Sequence, residues 1–422
     1  MSASQFRMDE NLLKEVAKTR AGLHESRHLP GWFYTSPELY QHEVETIFMK
    51  EWLCVGRLEE FPKAGDYAAI RIAGEPILIC RDTAGKMNAF RNVCRHRGVE
   101  VASGRGNLAK FTCPYHAWVY DLQGKLLNAP LATDFQGFDI STCGLPRAQI
   151  DDWGGYIFVN LDPNCQSLTD YLDEDGIREF AAFLQPENTR LSHKLEVVVP
   201  CNWKFGPENF MDMYHVGVIH KGSFGGHFPV TNFRFKLNKY GYDATYESHT
   251  MAPNGVTLFD TMPWLRGKVT DLFACTTFMR PTMNLFGRHD LIQPLVTLPL
   301  DEKSSLVTVY TQLPEEYFDT PGFEEKNKIY GDFIEFVVTE DYEMLESLQN
   351  GVASRAFVPG PMANLERAIH HLLNYYLDRL LQDDDAARSR RRDDGRNAIQ
   401  EAKAKHGAAC DGGYSESFQA AE

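Results

Sequence analysis

An α+β fold in two parts, a compact antiparallel β domain followed by a larger mixed domain, is what this sequence predicts, and three observations predict it. Between about residue 40 and residue 163, short β-rich runs are separated by Gly, Asp and Pro. Beyond that point, strand-like runs are mixed with two strongly periodic helical segments. A length of 422 residues with 43% hydrophobic content is enough to bury more than one core.

The elements are taken in chain order. Residues 8–25 carry Leu12, Leu13 and Val16 among charges, the pattern of a short amphipathic helix, and residues 1–39 are expected to pack as a helical segment on the later domain. The β domain, residues 40–165, holds the strand-like runs Tyr67–Ile72, Pro76–Cys80 and Tyr156–Asn160, and the turn formers Asp162-Pro163-Asn164 end it. The mixed domain, residues 166–382, contains strands at Leu195–Val199 and Leu306–Tyr310 and helices near 325–350 and 362–381. The last stretch, 383–422, is charged and poor in large apolar groups, so it reads as a solvated tail.

Charge and composition exclude several function classes. A net charge of −15 leaves no general basic surface for nucleic acid or an anionic membrane. No run of the roughly 18 apolar residues needed for a membrane helix occurs, and the first twenty residues lack a secretory pattern, so a cytoplasmic location is expected. Nine scattered cysteines then argue for thiols or metal ligands over disulfides.

The first metal signature lies in the β domain. Cys94-Arg-His96-Arg-Gly98 is followed, after sixteen intervening residues beyond His96, by Cys113-Pro-Tyr-His116-Ala-Trp118. Two thiolates and two imidazoles could hold a tetrahedral zinc, or a [2Fe–2S] cluster with both cysteines on one iron and both histidines on the other. The order decides between them. Zinc fingers pair Cys with Cys and His with His, whereas here each loop supplies one of each.

The second signature lies in the mixed domain, in the run from Asn202 to His220. If it is helical after Pro207, then Glu208, Asn209, Asp212 and His215 fall within about 60° of one line, among Phe205, Val216 and Ile219. Polar groups on an apolar stripe need partners or a metal. His220 lies about 140° round from His215 on an ideal helix, and Gly217 is the expected point of a break that lets the rings converge. A 2-His-1-carboxylate set for non-haem Fe(II) lacks only its carboxylate. With Asp341 at the origin, Tyr330, Ile334, Val337, Val338, Met344, Leu345 and Leu348 all fall within about 60°, while Glu340 and Glu343 project to the polar side. Asp341 is therefore a carboxylate in the middle of an apolar face, either a metal ligand or a satisfied buried acid.

The stretches Asn92-Val-Cys94-Arg-His96-Arg-Gly98 and Cys113-Pro-Tyr-His116-Ala-Trp-Val-Tyr-Asp121-Leu-Gln-Gly124 resemble the Rieske domain of ring-hydroxylating oxygenases, with Ala117 where that family usually has Gly. The run Asn202-Trp-Lys…Glu208-Asn209…Asp212…His215…His220 resembles the family's catalytic iron motif, and Glu340-Asp341…Glu346…Gln349 its later carboxylate motif. The similarity spans roughly residues 30–380. It implies a Rieske antiparallel β domain beside a helix-grip (START-like) α+β catalytic domain. It further implies one [2Fe–2S] cluster on Cys94, His96, Cys113 and His116, and one mononuclear Fe(II) on His215, His220 and Asp341. By the same resemblance the working form is a head-to-tail homotrimer, with or without a β subunit, in which Asp212 bridges His116 of one subunit and His215 of its neighbour. Its position three residues before His215 suits it to orient that ring.

The expected partners are a small organic substrate, O2 and a separate NAD(P)H-dependent reductase or ferredoxin, since the chain carries no nicotinamide or flavin fingerprint. Hydroxylation, cis-dihydroxylation and demethylation all fit. Aromatic acids or amines are the favoured substrates, with quaternary ammonium compounds of the choline or betaine kind as the alternative. A Rieske electron-transfer protein without catalytic iron is the reading from another class, and it predicts a single kind of metal centre. The glycine-rich loop Lys221–Pro229 could wall the substrate site through Phe224 or Phe228, and no Lys or Arg stands out as an anion-binding residue. His370-His371 are expected to be packing residues.

Overall fold

The computed structural model describes residues 10–134, 136–225 and 234–381. The tail after 381, residues 1–9 and the loop positions His227, Phe228 and Pro229 lie outside the described residues.

A seven-stranded antiparallel sheet is built from Leu53–Arg57, Tyr156–Asn160, Arg147–Trp153, Met87–Arg91, Glu75–Arg81, Asp66–Ile72 and Arg105–Asn107, in that order across the sheet. Asp66–Ile72 and Glu75–Arg81 are joined by Ala73-Gly74, both with positive φ (48° and 88°), the two-residue hairpin turn whose twist matches that of the strands. A three-stranded sheet of Phe111–Thr112, Val119–Tyr120 and Leu126–Asn128 stands on this domain. Between them lies a small apolar cluster including Leu78, Phe90, Val101, Phe111, Trp118 and Leu126. Cys94 and Cys113 belong to that cluster, so their loops are fixed from beneath.

The second seven-stranded sheet, also antiparallel, runs in the order Thr189–Val199, Ser305–Pro314, Ile292–Pro299, Met283–Arg288, Phe273–Met279, Tyr242–Glu247 and Arg234–Leu237. The long helix Phe323–Val352 packs along it and contacts Thr189–Val199. The helix Arg367–Leu381 buries Leu372, Leu373, Tyr376 and Leu377 and receives the N-terminal helix Glu10–Arg20, where Arg20 meets Asp378 at 2.8 Å. His370 and His371 are occupied by backbone carbonyls of Thr19, Ala21 and Asn238. The two large sheets are joined by buried polar contacts: Arg57 donates to Gln312 at 3.0 Å, and Tyr156 bonds the same amide. No described helix is long and apolar enough to cross a membrane.

Two local expectations are corrected. The helix after Lys204 ends at Met211, and Asp212 takes an extended conformation (φ −80°, ψ 107°). The Asp212 carboxylate accepts the Tyr214 N–H at 2.7 Å, a local bond that competes with continued helix. The chain resumes as Val216–Ile219, so the break lies at Asp212–Tyr214 and Gly217 sits inside a helical turn. Glu208 and His215 are therefore not on one helical line. In the long helix, Tyr330, Ile334, Val337, Val338, Asp341 and Leu345 are buried as expected, but Met344 and Leu348 are exposed, and the buried side continues through Tyr342, Gln349 and Val352. The stripe drifts round the helix because 3.6 residues per turn do not divide a seven-residue repeat.

Candidate metal centres and substrate cavity

The two Cys/His loops are matching turns. In the first, the Gly98 N–H bonds the Cys94 carbonyl and the Cys94 N–H bonds the Val99 carbonyl; in the second, the Ala117 N–H bonds the Cys113 carbonyl and the Cys113 N–H bonds the Trp118 carbonyl. Gly98 and Ala117 both take positive φ (82° and 56°), which aims the preceding ligands inward. His96 Nδ1 and His116 Nδ1 are 3.1 Å apart, the spacing of two nitrogens sharing one metal ion at bonds of about 2 Å. The two thiols are buried and within hydrogen-bonding reach of each other. Tyr120 braces the first loop, its hydroxyl 3.3 Å from Cys94 Sγ and accepting the Arg95 N–H. Trp118 stacks on the His96 ring. The four residues that the sequence singles out are thus brought together with sulfurs inside and imidazoles half-exposed, and this donor set fits a Rieske cluster.

At the second site, His215 and His220 turn the same atom toward one carboxylate. His215 Nε2 is 3.4 Å and His220 Nε2 3.1 Å from Asp341 Oδ1, and one donor atom from each residue falls in a group spanning no more than 4.8 Å. Asp341 is only 5% exposed, yet its Oδ1 has hydrogen-bond geometry with neither ring. A buried carboxylate oxygen aimed between two imidazole nitrogens and bonded to none is what a divalent cation would satisfy. Burial opposes charge on His215, but Asp212 and Asp341 outweigh it and push its pKa up to about 9. Burial likewise opposes charge on His220, which Asp341 and Glu340 raise above the ordinary imidazole value. The site attracts a cation.

The outer contacts complete each ring's orientation. His215 Nδ1 lies 3.2 Å from Asp212 Oδ2, and His220 Nδ1–H donates to Glu340 at 2.9 Å. Ser223 donates to the same Glu340 oxygen at 2.7 Å. Glu340 was expected on the polar side of the long helix; it faces a ligand instead, because the His220 turn folds over that side. Of the other motif residues, Trp203 and Lys204 both bond buried Glu43, Asn202 N–H bonds Gln349, and Glu208 accepts from Tyr34. These contacts anchor the helix that precedes the ligands.

The site opens on a solvent-connected cavity. Asp212, His215, His220 and Asp341 line it together with aromatic walls at Phe210, Phe224, Tyr246 and Phe286. Phe224 stacks on His220, so the expected wall residue is in place. Arg288 and Gln293 line the same cavity, and nothing in the sequence pattern distinguished them.

A chain that carries both a relay for single electrons and a separate open pocket for one iron falls in one class, the Rieske-type non-haem iron oxygenases. Residues 51–139 match the family model of the Rieske [2Fe-2S] domain, and residues 186–382 match that of the ring hydroxylating alpha subunit catalytic domain. The carnitine monooxygenase oxygenase subunit of Acinetobacter pittii is 30% identical over 338 residues, 78% of this chain and 86% of that protein. The chloroplastic choline monooxygenase of Beta vulgaris is 27% identical over 347 residues, 81% of this chain and 74% of that one. A solved quaternary ammonium Rieske monooxygenase superposes with a TM-score of 0.73 at 23% identity, covering 89% of this chain and 99% of that one. The chain belongs to the Rieske oxygenase α-subunit family, and its cofactors are a Rieske [2Fe–2S] cluster and a mononuclear non-haem iron.

Proposed function

We propose that this protein is the oxygenase component of a system that hydroxylates a small quaternary ammonium substrate at a carbon next to nitrogen, with electrons from a separate NAD(P)H-dependent reductase or ferredoxin. The observation that carries this reading is the convergence of His215, His220 and Asp341 on one wall of an aromatic-lined cavity. Aromatic faces attract onium ions electrostatically, and Phe210, Phe224, Tyr246 and Phe286 supply four of them. The relatives named above act on carnitine and choline. The aromatic acids and amines first favoured from sequence have no such support.

Cys94, His96, Cys113 and His116 would hold the cluster, whose histidine ligation raises its potential to about −150 to +300 mV. His215, His220 and Asp341 would hold the iron, which when bound supplies the O2-activating chemistry. Glu340 keeps the His220 proton on Nδ1 and so leaves Nε2 free to ligate. Asp212 faces His215 Nδ1 at 3.2 Å as an ion-pair contact and favours the same ring orientation electrostatically. The apolar walls exclude water from the reacting carbon. Net, one O2, two electrons and two protons convert C–H to C–OH and water; the hydroxyl on the carbon bound to quaternary nitrogen then releases its proton and becomes a carbonyl as the C–N electron pair leaves with the nitrogen, giving a tertiary amine.

A head-to-tail homotrimer with Asp212 reaching His116 of a neighbour is part of the proposal. It is supported by the half-exposed His116, by an Asp212 side chain open to solvent on one side, and by exposed Tyr115, Tyr214 and Val218. The test is O2 uptake coupled to product over a panel of quaternary ammonium compounds and aromatic acids, with a surrogate reductase. Coupled turnover of the onium compounds supports the reading, and turnover of aromatic compounds alone overturns the substrate class.

A further inference from the structure

We infer that the cavity recognises its substrate through a carboxylate, with Arg288 as the anion-binding residue. The inference deepens the proposed oxygenase function and rests on it.

Arg288 ends the strand Met283–Arg288, is 4% exposed and lines the cavity that His215, His220 and Asp341 share. Its Nε and Nη1 are buried and without a hydrogen-bond partner, and among the described residues no carboxylate stands within ion-pair distance of its guanidinium. Among the described residues, the other two arginines buried to this degree each face a carboxylate. Arg57 meets Glu59 at 2.6 Å and Gln312 at 3.0 Å, and Arg280 meets Glu174 at 2.5 Å and Asp175 at 2.9 Å. Arg288 is the exception.

The strand register makes room for it. Tyr246, Ala274 and Arg288 stand opposite one another on three neighbouring strands, and the small Ala274 leaves space between the larger side chains. Gln293, opposite Phe286 on the next strand, also lines the cavity.

A guanidinium cannot shed its charge, and burying it unpaired is costly. Its planar donor fork matches a carboxylate bidentately, so an arriving carboxylate restores what folding left unsatisfied. The same charge repels a simple onium cation. An onium carboxylate avoids the conflict, because its anionic end meets Arg288 while its cationic end meets the aromatic walls. The cavity therefore selects trimethylammonium carboxylates over the corresponding alcohols and amides.

The experiment uses holoenzyme with a surrogate reductase and matched trimethylammonium compounds ending in a carboxylate, a primary amide or an alcohol. The expected kcat/KM for the carboxylate exceeds the others by about 100-fold, because a desolvated charge pair discriminates at that scale. Arg288→Gln removes the preference mainly through KM, lowering kcat/KM for the carboxylate far more than for the amide or the alcohol; Arg288→Lys keeps part of it. Equal turnover of all three compounds by the wild type overturns the role of Arg288 and leaves the onium oxygenase reading standing. Turnover of aromatic carboxylates but of no onium compound, still lost in Arg288→Gln, removes the onium reading and keeps the carboxylate site. If both variants lose cluster or iron, inhibition of wild-type turnover by acetate and propionate but not by their amides supports the site, and equal failure of acids and amides to inhibit overturns it.

Discussion

Glu340 offers the sharpest test of how the iron ligands are held. In the Glu340→Ala variant His220 Nδ1–H loses an acceptor at 2.9 Å and the Ser223 hydroxyl loses one at 2.7 Å. A hydrogen bond to a charged group contributes about 1.5–3 kcal/mol, and the Glu340 side chain is shielded enough for that range to apply. At about 1.36 kcal/mol per factor of ten, iron binding should weaken by about 10- to 150-fold, within the range found when the outer partner of a ligating histidine is removed. Glu340→Gln keeps a neutral acceptor and should fall between. The assay is anaerobic Fe(II) titration against a competing chelator, with the visible absorbance of the Rieske cluster as internal control, since its ligands lie in the other domain. An Fe(II) affinity within about threefold of wild type, with the cluster intact, would refute the argument that Glu340 fixes the His220 tautomer.

Three further outcomes are expected. Asp212→Ala, loaded with iron in excess, should hold both metal centres and lose turnover by roughly 100-fold or more, because the proposed bridge from His215 to His116 of a neighbouring subunit is gone; substantial retained product formation sinks that role. Ala117→Gly should raise the denaturation midpoint, because a left-handed φ of 56° costs an L-residue about 1–2 kcal/mol while glycine's extra unfolded-state entropy returns only about 0.4–1; a lower midpoint would show the loop is not strained. Glu208 is fully buried, and desolvation raises its pKa from 4.5 to about 7 although His28 and Tyr34 oppose the rise. The folded state then binds the proton more tightly, so stability falls as pH rises from 4.5 through 7, by up to about 3 kcal/mol. Glu208→Gln removes that slope, so its melting temperature relative to wild type should climb between pH 5 and pH 8; a flat difference would show that Glu208 does not titrate in that window.

What the sequence made legible was local. Each Cys/His loop is a turn of five or six residues whose ligand spacing survives any tertiary arrangement, and His215 and His220 are five residues apart. Asp341 was legible for a different reason: an acid centred on an apolar helical face stands out by periodicity, and the helix Phe323–Val352 does bury it. The misreadings arose where a side chain overrode the backbone pattern. The Asp212 carboxylate captured the Tyr214 N–H and ended the helix three residues before His215, which no hydrophobic count reveals.

Glu340 and Arg288 mark the deeper limit, since their roles depend on what faces them from elsewhere in the chain. Glu340 lies about 100° from Asp341 on the helix and reads as solvent-facing until the turn at His220–Ser223 folds over it. Arg288 closes an apolar strand, and a positive end residue on such a strand usually reaches water. Only the register that places it opposite Ala274, and in line with Tyr246, turns it into the cavity. Ligands to a metal must be near one another and leave a mark in sequence; the residues that orient those ligands and choose the substrate need only meet in space, and strand order decides which of them do.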